Sequence, residues 1–243
     1  MKMGNAVIND ETDLKGMYEY FWSHALISDQ VRYDITRQCD FSPNAVNQTV
    51  ECAAAADQVE IDIQYLDIYN IYAPVCHSTE ITVKPKRLTK SDLYVEAYMN
   101  NPEVQKALHA NVTKLSYPWQ PCSSVISTWA DSPTTIIPLL RELMAKGLRV
   151  WIFSGDTDGR IPVTSTRESL NIMKLPIKTK WHPWFIKGEV GGYTQVHEGN
   201  LTFATVRGAG HQVPSFQPVR ALALISHFIN GTPLPNTSRT KLI

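Results

Sequence analysis

The chain has 243 residues, 43% of them hydrophobic and 19% charged, enough for a large buried core in one domain or in a domain carrying an insertion. Lys+Arg and Asp+Glu both number 23, with no basic run, which argues against nucleic acid or an anionic membrane as the main partner. No apolar stretch approaches the roughly 20 residues that span a bilayer, so a soluble chain with no membrane partner is expected.

In chain order, the first third reads as helical. Met17, Tyr18, Phe21 and Trp22 recur at helical spacing after Thr12-Asp13, which predicts a helix capped there. Ser28-Asp29 caps a second helix carrying Val31, Ile35 and Cys39. The stretch from Asn47 to Tyr69 predicts a third, with Val50, Ala53, Ala54, Val59 and Ile61 on its apolar side. From His77 to Arg87 periodicity stops, the mark of an exposed linker and an internal boundary. Asn101-Pro102 opens a short helix through Val104, Ala107 and Leu108, and Pro133 begins another that runs to Lys146 and stops at Gly147. The apolar run Leu148 to Phe153, ending at Ser154-Gly155, predicts a buried strand directly after that helix, the rhythm of an α/β fold. Leu201 to Val206 predicts a second such strand, and Val219 to Ile229 a last helix with Leu222, Leu224, Ile225, Phe228 and Ile229 on a broad apolar face.

Two polar clusters follow those two strands, at the edge where open α/β sheets build their sites. One is Gly155-Asp156-Thr157-Asp158-Gly159-Arg160-Ile161-Pro162, the other Gly208-Ala209-Gly210-His211-Gln212-Val213-Pro214. A histidine in a glycine-rich loop is, taken alone, more often a turn residue, and paired aspartates more often cap a loop. The distal glutamate of a calcium loop is absent, so no metal is expected. An Asp and then a His, each after its own strand, match the latter part of the Ser…Asp…His order of α/β-hydrolases. A serine hydroxyl becomes a useful nucleophile when an imidazole accepts its proton, and a buried carboxylate fixes and stabilises that imidazole.

Asn-x-Ser/Thr acceptors stand at Asn47, Asn111, Asn200, Asn230 and Asn236, and with four cysteines their density predicts export and glycosylation. Met1 to Asp10 contains no apolar signal-peptide core. A secretory composition without a secretory start predicts that a further N-terminal segment lies upstream. Trp119, Trp129, Trp181, Trp184 and Tyr193 are read as packing residues ahead of a substrate cleft. No motif around His24, His77, His109, His182, His197 or His227 requires chemistry.

Over nearly its whole length the chain resembles the plant serine carboxypeptidases, close to the type II enzymes of cereal grain. The resemblance is carried by Gly4-Asn5-Ala6-Val7, the run Tyr20 to Asp29, Asp67 to Cys76, Val104 to Asn111, Phe153 to Asp158 and Val206 to His211. It implies that Asp158, with Pro162 in place after it, and His211 are the catalytic pair, and that Asp156 is a structural loop carboxylate. It also implies removal of C-terminal residues from peptide or protein substrates without a cofactor, in a secreted or vacuolar protein. The oligomeric state stays open, a homodimer included.

Departures qualify this. No Gly-x-Ser-x-Gly occurs in the chain, and the resemblance places the serine elbow and the oxyanion-hole strand upstream of residue 1, so the isolated chain is expected to lack peptidase activity. Gln212, in a substrate-binding position, stands where the family often has Glu. Acyltransferases and hydroxynitrile lyases share the scaffold, and a non-catalytic truncated form is a third reading; Val213-Pro214 favours the peptidase branch. The resemblance pairs Cys39 with Cys52 and leaves Cys76 and Cys122 without their usual partners; no Cys-x-x-Cys pair suggests zinc. The expected architecture is a partial α/β-hydrolase fold lacking its N-terminal sheet strands and nucleophile elbow. Residues 1–10 would end a core strand, 11–86 would form a helical insertion and linker, and 87–243 would supply the C-terminal part of the core.

Overall fold

The structure is a computed structural model that describes residues 1–75, 90–111, 114–121, 123, 125 and 131–238, with backbone alone for 90–93. The chain divides into two compact units. The larger comprises residues 1–64, 68–72 and 133–243, the smaller 65–67 and 73–132.

The larger unit is built on a five-stranded sheet of order β1-β2-β5-β4-β3, comprising β1 (Lys2–Gly4), β2 (Val150–Gly155), β3 (Ile177–Ile186), β4 (Glu189–His197) and β5 (Leu201–Val206). β1, β2 and β5 run parallel; β4 is antiparallel to β5 and β3 to β4. Successive residues of the central strands point to opposite faces, and both faces are covered, so β2 and β5 read as continuous apolar runs. On one face Ile8, Val150, Ile152, Leu201 and Phe203 pack with Ile137, Leu140 and Met144 of α6 (Ile137–Ala145) and Leu170 of α7 (Val163–Ile172). On the other, Trp151, Ala204 and Val206 pack with Trp184, Leu234 and Leu224 of α9 (Pro218–Asn230).

The helix expected at Pro133 begins at Ile137, because Thr135 is held in a bridge to Asn9. β2 lies two residues later than the expected run: Leu148 is exposed, tied back by its N–H to the Leu143 carbonyl as the chain leaves α6. The β3–β4 hairpin is an element beyond those expected from the sequence. Lys187 and Gly188 form its two-residue turn at φ 50° and 80°, the signs a type I′ turn requires. Trp184 is fully buried, donating from Nε1 to the Thr205 carbonyl at 2.9 Å, whereas Trp181 stacks on Tyr193 at the sheet surface. Of the apolar face expected on the last helix, only Leu224 is buried; Leu222 and Ile229 are each 66% exposed. Leu222 and Ile225 line an apolar groove of about 530 Å³ with Lys2, Gly4, Phe153 and Pro214, beside the outer edge of β1. Burial lowers the Lys2 ammonium there to about 8.

α1 (Asp10–Ser23) has Asn9 as its N-cap, three residues before Thr12 of the expected cap. Asp13 is buried inside its first turn, where Oδ2 accepts from the N–H groups of Ile8 and Asn9. The helix packs on α7 through small and polar groups: Ser165 Oγ donates to the Asp13 carbonyl, Thr164 Oγ1 to the Gly16 carbonyl, and Thr12 and Ser169 hydroxyls meet at 2.6 Å. α2 (Asp29–Gln38) is capped by Ser28 as expected, burying Val31 and Ile35. α3 is shorter than expected, Val50–Asp62, and turned: Cys52, Ala55 and Val59 are buried while Val50 and Ile61 are exposed. The Cys39–Cys52 disulfide, with 4.9 Å between Cα atoms, fixes which side faces α2.

In the smaller unit α4 (Lys90–Met99) precedes α5 (Pro102–Ala107), whose N-cap is Asn101 as expected. Asn100 binds the backbone of Trp119 from both ends of its amide. Among the helices of the described residues, none is long and apolar enough to cross a membrane. The linker expected at 77–87, Trp129, His77, Cys76 and Cys122 lie outside the described residues.

Candidate active site

The parallel register of β2 and β5 pairs Gly155 with Val206, so the two loops that follow leave the sheet side by side. Backbone hydrogen bonds then stitch loop to loop: Asp156 N–H donates to the Val206 carbonyl at 3.3 Å and Thr157 N–H to the Ala209 carbonyl at 3.0 Å. The Asp156 carboxylate adds a third tie, accepting from Gly208 N–H at 2.6 Å. Burial pushes the Asp156 carboxyl above its ordinary value, an effect opposed by the amides of Gly208 and Ala209. A third segment completes the frame. Gly159 N–H donates to the Ile68 carbonyl and His211 N–H to the Tyr69 carbonyl, the latter at 2.7 Å. Gly210 permits this approach, since a Cβ there would lie 2.2 Å from the Tyr69 carbonyl oxygen.

Within this frame Asp158 and His211 meet. Asp158 is fully buried, and its Oδ2 lies 2.8 Å from His211 Nδ1. An acceptor carboxylate requires the proton to sit on Nδ1, so a neutral imidazole keeps its lone pair at Nε2. The His211 side chain is 29% exposed, so its imidazole reaches the surface while the Asp158 carboxylate lies in the interior. Three further N–H groups hold the carboxylate: Arg160 on Oδ1 at 2.8 Å, and Asn5 Nδ2 at 2.7 Å and Ile161 at 3.3 Å on Oδ2. Such donors offset much of the cost of burying a charge. The Tyr69 ring lies 5.3 Å from the imidazole, centroid to centroid.

Of the residues singled out from sequence, Asp158 and His211 are thus in contact, 53 positions apart in the chain. Gln212 follows His211 with its side chain exposed, and its carbonyl opens the short helix α8 (Val213–Phe216). The asparagines of all five Asn-x-Ser/Thr tripeptides are exposed. Asn5, whose amide reaches the carboxylate from the end of β1, and the Tyr69 carbonyl lie in segments that carry the family resemblance, but no role in the site is assigned to either from sequence. Both depend on long-range contacts that no local pattern marks.

Comparison with known proteins places this geometry in a lineage. The model of the serine carboxypeptidase family matches residues 1–231. Serine carboxypeptidase-like 40 of Arabidopsis thaliana is 62% identical over 98% of the chain, which covers 49% of that relative. Serine carboxypeptidase 24 of the same plant is 44% identical over 97% of the chain, covering 54% of its own length. Serine carboxypeptidase II-1 of Hordeum vulgare is 40% identical over 98% of the chain, covering 76% of its own length. The chain therefore spans about half the length of most of these relatives. Among solved structures, the crystal structure of Kex1Δp, a prohormone-processing carboxypeptidase from Saccharomyces cerevisiae, superposes with a TM-score of 0.69 over 95% of this chain and 54% of its own, at 17% identity. That likeness establishes a partial α/β-hydrolase fold, and with the matched family model it follows that this chain belongs to the serine carboxypeptidase family.

Proposed function

We propose that residues 1–243 supply the aspartate and histidine of a Ser-Asp-His triad in a serine-type carboxypeptidase, the serine being carried by a segment outside these residues. The observation behind this reading is the 2.8 Å contact between a fully buried Asp158 and a partly exposed His211. In this reading the serine attacks the carbonyl of the last peptide bond while His211 Nε2 takes its proton. The imidazolium then forms against Asp158 and hands the proton to the leaving amino acid. Water, deprotonated by the same imidazole, releases the shortened peptide and regenerates the serine. Asp158 stays ionised throughout; its work is orientation and charge stabilisation.

Two features support an external serine. No Gly-x-Ser-x-Gly occurs in the chain, and the two Arabidopsis thaliana relatives are about twice as long. The outer edge of β1, with the groove beneath Leu222 and Ile225, offers backbone donors and apolar surface to a neighbouring strand and its helix. Gln212, neutral and exposed beside His211, is assigned to the substrate side, and the exposed acceptor asparagines to glycosylation in a secreted or vacuolar protein.

The test is turnover of an N-blocked dipeptide, read as release of the C-terminal amino acid. The chain joined to its upstream segment should turn over, residues 1–243 alone should not, and His211→Ala in the joined protein should lose on the order of 10⁴–10⁶ in kcat. Parent-level turnover by His211→Ala would overturn the assignment.

A further inference from the structure

We infer that Asn5 is the positioning residue of this site: its amide locks the Asp158 carboxylate in the orientation that presents Oδ2 to His211. The inference rests on the triad reading above and deepens it.

Asn5 immediately follows β1, and its N–H donates to the Phe153 carbonyl at 2.9 Å, carrying the β1–β2 ladder one residue further. The backbone then turns off the sheet at φ 44°, in the left-handed region that asparagine tolerates better than most side chains. That turn puts the side chain inside the molecule, 4% exposed. There Oδ1 accepts from Gly155 N–H at 3.1 Å and Nδ2 donates to Asp158 Oδ2 at 2.7 Å. The polarity is fixed by the partners, since an N–H can only donate and a carboxylate only accept. A flipped amide would set donor against donor and acceptor against acceptor.

The four donors to Asp158 are not equivalent. Arg160 and Ile161 lie two and three residues along its own loop, and they move with it. His211 is the group to be oriented. Among the described residues Asn5 is thus the remaining fixed reference, tying the carboxylate to the end of β2 and to a third strand. It also binds the same oxygen that meets His211, so a rotation of the carboxylate breaks both bonds together. Among the described residues, His211 bonds this carboxylate directly and the Tyr20 hydroxyl from α1 lies within electrostatic reach of it, while the Asp156 carboxylate on the same loop is turned to the Gly208 N–H.

Two variants of the joined, active protein test this. Asn5→Gly keeps the left-handed backbone without strain and deletes the amide. Misorientation of a catalytic group by a fraction of an ångström should lower kcat roughly 10- to 100-fold, with KM within about twofold. The low-field proton resonance of the Nδ1–H bridge should broaden or vanish. Asn5→Asp is isosteric and keeps an acceptor for Gly155, but it sets a second carboxylate against Asp158. Its rate relative to parent should rise as pH falls, because one shared proton restores a donor between the two oxygens. If Asn5→Gly fails to fold, the pH dependence of the Asn5→Asp ratio decides alone.

A merely structural role predicts lower melting temperatures with kcat, the resonance and a flat rate ratio all preserved, and that pattern would overturn the proposal. Parallel Asp158→Asn and His211→Ala variants separate the two levels. Should they abolish turnover while both Asn5 variants behave as parent, only the positioning role is lost. Should they leave turnover intact, the triad reading fails first.

Discussion

Asp158→Asn is a near-isosteric change at a position whose surroundings dictate the outcome. Oδ2 receives three donors, from His211, Asn5 and Ile161, and Oδ1 receives one, from Arg160. An amide can place its oxygen in one of those sites only. With oxygen in the Oδ2 site, the NH2 group faces the Arg160 N–H, and a part-buried donor loses its partner. In the reverse orientation the NH2 faces three donors and drives His211 to the tautomer with hydrogen on Nε2, leaving no lone pair for the serine proton. The first arrangement costs less, at most the about 1–3 kcal/mol of one unsatisfied buried donor. At this chain length that corresponds to a fall of roughly 2–12 °C in melting temperature. Catalysis should suffer more than stability, since the favoured orientation leaves the imidazolium without its counter-charge. Any population of the reverse one holds His211 in the tautomer that costs about 10⁴-fold in kcat, so a loss well above tenfold is expected. Thermal unfolding and dipeptide turnover of the joined protein measure both quantities. A variant within tenfold of parent kcat, with unchanged melting temperature, would refute this account of the pair.

Replacing Cys39 and Cys52 together by alanine opens a loop with a sequence separation of 13 and should cost about 3 kcal/mol, read from denaturant unfolding under oxidising conditions. Gly210→Ala forces a Cβ against the Tyr69 carbonyl and should lower kcat more than 10-fold by displacing His211, with secondary structure by circular dichroism unchanged. Because burial raises the Asp156 pKa in the folded state, the protein gains affinity for a proton there on folding. The associated stability is fullest below the unfolded value of 3.8 and declines as pH rises through the folded value. Asp156→Asn retains an acceptor for Gly208 and should flatten that decline in a pH series of unfolding curves.

Much of this architecture is legible in the sequence where a single physical signal dominates. β2 and β5 are covered on both faces, so they appear as short apolar runs, and the glycine-rich segments after them mark the loops that carry Asp158 and His211. Caps at Ser28 and Asn101 are local hydrogen bonds and were readable as such. The β3–β4 hairpin was hidden because β3 is an edge strand: Lys178, Lys180 and Pro183 suit a strand with one unpaired side and mask its alternation. Its Lys187-Gly188 turn was the available clue. α1 misled in another way. Its buried face is lined by Thr12, Asp13 and Gly16 as well as Tyr20 and Phe21, so hydrophobic spacing pointed to the wrong start. α3 turned because its disulfide, not its most apolar residues, selects the inward side. The role of Asn5 is hidden for a different reason: the residue sits in a family-like segment, but its bond to Asp158 arises only when β1 lies beside β2.

The central claim is that His211 and Asp158 activate a serine outside residues 1–243. A fluorophosphonate probe on the joined protein, followed by peptide mapping of the adduct, addresses it directly. The account predicts one labelled serine in the upstream segment, no label on residues 1–243 expressed alone, and labelling slowed by orders of magnitude in His211→Ala. An adduct on a serine within residues 1–243, or labelling of His211→Ala at the parent rate, would contradict it.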